Sequence, residues 1–246
     1  MDMEVRQVML ATVEGSPAAV AAHDKEQWLS LFADGAVVND PVGSSPHRGD
    51  EQLSRFYDTF IAPNTIVFHQ EHDDVVSGST VVRDVTLEIR MSDDVVLHVP
   101  THLRYEMTSP DRIAGLYAHW ELPTMVMQLL KKGVHALPVS ARLSGSMVRN
   151  QGLAGAFGFG RGFLRAGENQ KRTAIAFLAA PTAQLPAKDG TGASLTPADL
   201  SGWRAGKCLA AGRFVTVSLQ RDDDHGVAMF EFAKRDLVAV TLYVER

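Results

Sequence analysis

From residue 95 to residue 107 the side chains alternate one by one. Val99, Thr101, Leu103, Tyr105 and Met107 fall on one side, and His98, Pro100, His102, Arg104 and Glu106 on the other. Successive Cβ atoms of a strand point to opposite faces, so this period of two sets one mostly apolar face against a core. Residues 66–71, 80–91 and 112–121 share the period, which predicts four strands. The chain before them reads as helical. Ser16-Pro17 resembles a helix start, with Pro at the first helical position. Trp28, Leu29, Leu31 and Phe32 then supply an apolar face that ends at Asp34-Gly35. Asn39-Asp40-Pro41-Val42-Gly43 is a turn by composition, and a second helix fits residues 49–61. Helices followed by a run of antiparallel strands specify an α+β domain, a curved sheet wrapped around helices.

Residues 1–122 form this first unit. Residues 123–168 differ, with two helical stretches (123–133 and 139–150) and then a run rich in Gly and Phe over 152–162. The glycines of that run miss the GxGxxG spacing and no strand precedes them, so the run does not read as a dinucleotide loop. A connector with close helix packing is the plain reading, and a membrane-surface or ligand-lid segment is the alternative. Residues 169–246 repeat the first order of elements in shortened form. Residues 174–179 echo 29–33, residues 197–203 echo 50–56, and residues 237–245 echo 113–121. This predicts a degenerate second copy of the fold, with strands over 213–221, 226–234 and 235–245.

Composition narrows the function. The 246 residues are 45% hydrophobic and 22% charged, with a net charge of −5. A nucleic-acid partner needs a concentrated basic face, and the pair Lys131-Lys132 is too short to make one. Cys208 is the single cysteine, which excludes an intrachain disulfide and a thiolate metal cluster and leaves a small core residue. The acidic start lacks a signal pattern, and no run reaches the roughly 20 apolar residues of a membrane span. The expectation is a cytoplasmic protein.

Residues 32–49, from Phe32-Ala33-Asp34 through Asp40-Pro41-Val42-Gly43 to His47-Arg48-Gly49, closely resemble bacterial ketosteroid isomerases. These belong to the nuclear-transport-factor-2-like (SnoaL-like) superfamily. The resemblance continues through residues 52–57 and returns at 99–105 and 112–120. It implies tandem cone-shaped α+β domains, each a curved antiparallel sheet wrapped around helices. They would pair within the chain as a pseudo-dimer, with further homodimerisation open.

In that family the Asp of Asp-Pro-Val-Gly is the general base, and it falls at Asp40. The resemblance places an oxyanion-hole tyrosine at Ser16 and an oxyanion-hole aspartic acid at Thr101, so both strong donors are absent. A supporting tyrosine is replaced by Phe32, whereas Tyr57 and Trp120 are kept. Thr101 is left to assist the enolate oxygen, with Tyr57, Trp120, Val99 and Leu103 lining the pocket. His98 and His102 should point away from it, and of His119 and Trp120 the resemblance favours Trp120 as the pocket residue. The second copy offers no acid at the aligned position, where residues 185–187 fall and Asp189-Gly190 makes a turn. The implied function is double-bond isomerisation of a hydrophobic carbonyl compound such as a steroid, needing no metal or organic cofactor. Two alternatives stand beside it. One is a module that binds a small hydrophobic ligand without chemistry. The other is a related lyase, hydratase or polyketide cyclase.

Overall fold

The computed structural model describes residues 2–245, except the side chains of residues 153–156, which fall in the Gly/Phe-rich run. Helix α1 (Met3–Ala21) starts at Asp2, whose side chain accepts from the Glu4 amide. The expected start at Ser16-Pro17 is therefore a correction, because Pro17 sits inside α1. Proline there removes one backbone hydrogen bond. The helix continues because Val13, Ser16, Pro17 and Val20 are buried on one face. Helix α2 (Lys25–Ser30) is capped by Asp24, which accepts from the Gln27 amide at 2.9 Å. Strand β1 (Phe32–Asn39) begins earlier than expected. Gly35, at φ +72°, does not end a helix but lies within the register shift between Phe32 and Val37. After β2 (His47–Arg48), helix α3 (Gly49–Phe56) continues as a π-helical turn, Tyr57–Ile61. Then follow β3 (Thr65–Gln70), β4 (Val75–Ser77), β5 (Thr80–Arg90), β6 (Val96–Ser109) and β7 (Arg112–His119).

Helix α4 (Leu122–Lys131) and helix α5 (Ala136–Gly160) form an arm that returns over the helices of the first unit. Gly152, at φ 67°, breaks the helical backbone of α5. The arm is anchored by Phe159 stacked on Phe60 at 5.3 Å, by the Ser45 amide donating to the Gly158 carbonyl at 3.1 Å, and by Asn150 donating to Thr59 Oγ1. The second part contains α6 (Glu168–Ala179), β8 (Ala187–Asp189), α7 (Pro197–Leu200), β9 (Arg204–Ala211), β10 (Phe214–Arg221), β11 (Asp224–Ala233) and β12 (Asp236–Val244). Cys208 lies on β9, half-buried, with burial pushing its thiol up to about 11.

The first sheet runs β2-β1-β7-β6-β5-β3, with β4 also on β5, and the second runs β8-β12-β11-β10-β9. Both depart from the expected cones. Neither sheet closes on itself or curls strongly around its helices. Nor is either purely antiparallel, since β1 pairs with β7 and β8 with β12 in parallel. Covering explains the open shape. The helices and arm occupy one face of the first sheet, and the second sheet covers part of the other. The second sheet has only α6 and the four-residue α7 to pack on, too little helix to be wrapped.

Among the contacts that fix the second sheet to the first are three groups. Apolar residues Val75 and Val82 meet Val227, Met229 and Tyr243. A buried polar cluster joins His102 to Thr216 Oγ1 at 2.7 Å and to Ser218 Oγ at 2.8 Å, while Ser218 donates to Asp84 and Lys207 pairs with Asp84. Attraction to the His102 and Lys207 side chains outweighs burial and holds the Asp84 carboxyl well below its usual range. At the end of the first unit, Glu121 takes Lys171 at 2.7 Å, Arg165 at 3.3 Å and the Ala210 amide at 3.1 Å.

Candidate active site

Asp40 follows β1 at a cis Asp40-Pro41 bond. The turn is held without using its carboxylate. The Val42 amide donates to the Ala118 carbonyl at 2.8 Å, Ser44 Oγ donates to the Pro41 carbonyl at 2.7 Å, and Asn39 Nδ2 donates to the Ser44 carbonyl at 3.0 Å. The carboxylate instead accepts from Trp120 Nε1 at 2.5 Å. Asp40 keeps part of its surface open, and that surface borders a cavity. Burial pushes its carboxyl up to about 6, and the Trp120 hydrogen bond offsets part of the rise. Removing a carboxylate from water disfavours its charged form, whereas a donor favours it.

The cavity and the open solvent at its mouth together span about 980 Å³. Its wall is built from three sources. The inward face of the sheet supplies Leu87, Ile89, Leu97, Val99 and Leu103, the first helices supply Phe56, Phe60 and Ile61, and the arm supplies Met125, Leu143 and Phe159. Such a site, mostly apolar with a few polar groups, suits a small hydrophobic molecule.

Of the residues singled out in the sequence, Ser16, Val99, Leu103 and Trp120 line this cavity together with Asp40. Tyr57, Phe32 and Thr101 are not among its lining residues. Thr101 shares the Val99 face of β6, but it is fully buried and its hydroxyl donates to the Val99 carbonyl at 2.9 Å. Phe32 packs on Trp28 at 4.6 Å, and Tyr57 lies 5.5 Å from the same indole. The buried Tyr57 hydroxyl has no hydrogen-bond partner among the described residues.

Two polar lining residues were not singled out in the sequence. Tyr105 is buried beside Ser16, whose hydroxyl interacts with the phenol oxygen and accepts from Trp28 Nε1 at 3.2 Å. Burial pushes the Tyr105 phenol up to about 12. The strand period had put Tyr105 on the Val99 face, so its position was legible. Asn64 donates to the Phe60 carbonyl at 2.8 Å and leaves its buried Oδ1 without a partner among the described residues. No sequence signal marked Asn64 or the arm residues, because the segments that bring them in are distant in the chain.

The histidines stay outside the cavity lining. His98 is exposed near Glu88, while His102 and His119 are buried between the sheets. His119 meets Phe214 edge-on at 5.8 Å, and neither ring nitrogen has a partner among the described residues.

Residues 13–108 match the family model described as the SnoaL-like domain. The chain therefore carries an N-terminal SnoaL-like domain, and the match ends before the arm and the second sheet. Solved structures similar to the chain include Delta 5-3-Ketosteroid Isomerase from Mycobacterium sp., at 28% identity and TM-score 0.45, over 48% of this chain and 96% of that one. RV0760c from Mycobacterium tuberculosis in complex with estradiol-17beta-hemisuccinate matches at 26% identity and TM-score 0.45, over 48% and 96%. An LEH-like epoxide hydrolase of M. tuberculosis matches at 19% identity and TM-score 0.45, over 55% and 97%. Among the described residues no helix is long and apolar enough to cross a membrane.

Proposed function

We propose that the N-terminal unit binds a small hydrophobic carbonyl compound, such as a steroid, and that Asp40 moves a proton on it. The observation that carries the reading is a partly buried carboxylate with its pKa raised to about 6, held by one indole N–H and facing an apolar cavity. A base of that strength is largely ionised at neutral pH yet strong enough to accept a proton from carbon. In the proposed step Asp40 takes a proton from the carbon beside the carbonyl. The C–H electron pair moves into the carbonyl to give an enolate. Asp40 then returns the proton to a carbon further along the conjugated system, so nothing is added or lost. Trp120 keeps the carboxylate aimed at the cavity. Tyr105, backed by Ser16, is the lining phenol able to donate to an enolate oxygen, and it takes the part first expected of Thr101.

A binding module without turnover is the second reading. It is favoured by the Thr101 hydroxyl being tied to its own strand, which takes that donor away from any ligand oxygen. One pair of measurements separates the two. Purified protein is mixed with an unconjugated ketosteroid, and the conjugated enone absorbance is followed for wild type and Asp40→Asn. Turnover that Asp40→Asn abolishes supports proton transfer. Ligand-induced thermal stabilisation without turnover, equal in both proteins, leaves the binding module. Neither stabilisation nor turnover across a panel of apolar ketones refutes the site.

A further inference from the structure

The arm over the cavity has a second face. From residue 122 to residue 167 the chain holds no Asp or Glu, although the whole protein carries a net charge of −5. The same stretch carries Lys131, Lys132, Arg142, Arg149, Arg161 and Arg165. Arg165 is neutralised by Glu121, and Arg142 donates to the Met91 carbonyl. Lys131, Lys132, Arg149 and Arg161 form no ion pair among the described residues. Asp94, which lies outside the arm, sits 3.4 Å from His135.

Between these cations the arm exposes large apolar side chains. Leu130 is 65%, Val134 73% and Leu137 68% solvent-accessible around the bend at Gly133 (φ +58°), and Met127 in α4 and Val148 in α5 are exposed as well. The opposite side of the arm is already used, because Met125, Leu143 and Phe159 line the cavity. A globular helix usually turns one apolar stripe inward and a polar one outward. An outer face whose own residues are apolar and basic, with no acid among them, departs from that pattern. It matches what an interfacial helix presents to a bilayer, apolar groups for the acyl boundary and cations for anionic headgroups.

We infer that the α4–α5 arm docks the protein on an anionic lipid surface, lying on the membrane without crossing it. The docked face is the outside of the wall that closes the hydrophobic cavity, so a membrane-dissolved ligand would meet the protein at this wall. Charge complementarity selects the partner, since a face rich in cations and with no acid of its own would repel a second copy of itself. The inference stands apart from the chemistry assigned to Asp40, because docking is measured on the ligand-free protein.

The experiment is co-sedimentation of the full chain with vesicles of phosphatidylcholine, alone or mixed with phosphatidylglycerol, at low and high salt. Wild type should bind the mixed vesicles, bind the neutral ones at least about tenfold more weakly, and release as salt screens the attraction. Two variant sets keep the test falsifiable, Leu130→Gln/Val134→Gln/Leu137→Gln and Lys131→Glu/Lys132→Glu/Arg149→Glu. Each should lose binding by about tenfold or more while keeping the wild-type circular dichroism spectrum and melting temperature. No binding to mixed vesicles overturns the inference, as does equal binding to neutral ones. Variants that fold and bind like wild type also overturn it. So does light scattering showing a wild-type dimer that the glutamine set converts to monomer, because the face would then belong to a second copy.

Discussion

The indole Nε1 of Trp120 donates to the Asp40 carboxylate at 2.5 Å in the cavity wall, joining the end of β7 to the turn after β1. That hydrogen bond and the burial around it act on the carboxylate in opposite directions, and burial is the larger. Removing the donor while keeping the burial should raise the base further. Trp120→Phe is expected to move the pH midpoint of turnover, or of any ligand affinity that depends on ionised Asp40, upward by about one unit. A pH profile of wild type and variant measures this, and an unchanged midpoint would show that the indole does not tune the base.

Stability should report the same buried charge. Asp40 has a folded-state pKa near 6 against an ordinary value of 3.8, so the folded state holds its proton more tightly than the unfolded state. Stability from this group is greatest below the unfolded value, declines as pH rises between the two, and stays low above 6. Asp40→Asn removes the ionisation cost and retains an acceptor for Trp120. It should stabilise the protein by about 2–3 kcal/mol at pH 7.5 and by little at pH 4. Urea denaturation of both proteins at the two pH values reads the difference.

Ser16 places a short hydroxyl in the cavity wall while the nearby Tyr57 hydroxyl is buried and unpartnered among the described residues. Ser16→Tyr would put a phenol, a stronger donor, at the wall. If the site isomerises ketosteroids, the variant should raise kcat by about tenfold or more, with Asp40 still required. Enone absorbance kinetics on Ser16→Tyr and on Ser16→Tyr/Asp40→Asn provide the test.

His119 is buried with both ring nitrogens unpaired among the described residues and an aromatic edge contact to Phe214. Burial holds its pKa well below 6.5. The unfolded chain therefore takes up protons first, and stability falls as pH drops through about 6.5. His119→Leu removes the unpaired polar atoms and the titration. It should stabilise by about 1–2 kcal/mol at neutral pH and make the loss between pH 6.5 and 5 shallower. Thermal melts across that range decide it, and a melting temperature below wild type would contradict the account.

The turn that carries Asp40 also touches the second sheet, backbone to backbone. A Cβ added at Gly43 would sit 2.6 Å from the Gly212 Cα, and one added at Gly212 would sit 2.9 Å from the Gly43 Cα. Both glycines have positive φ, +101° and +54°. Gly212→Ala should cost about 1–2 kcal/mol for the left-handed backbone alone, and more for the clash. Because the displaced partner is the Asp40 turn, ligand affinity should fall with stability. Calorimetric melting and a ligand titration on the same sample read both effects.

The period of two in residues 95–107, and its repeats, specified β3, β5, β6 and β7 to within a few residues, because alternation along a strand is a local property. The Asp-Pro-Val-Gly turn likewise placed Asp40 at the end of β1 from its own residues. Periodicity tells which face of an element is apolar and not what covers that face. Pro17 could lie inside α1 because its buried face rewards a continuous helix, and neither sheet closes, the first being covered on its second face and the second having little helix to pack on. The short β4 and β8 carry too few residues to show a period. The cavity, the arm residues Met125, Leu143 and Phe159 that close it, and the raised pKa of Asp40 were all beyond local reading. Each depends on how much water is excluded by segments dozens of positions away, and desolvation adds up over every neighbour that folding brings in.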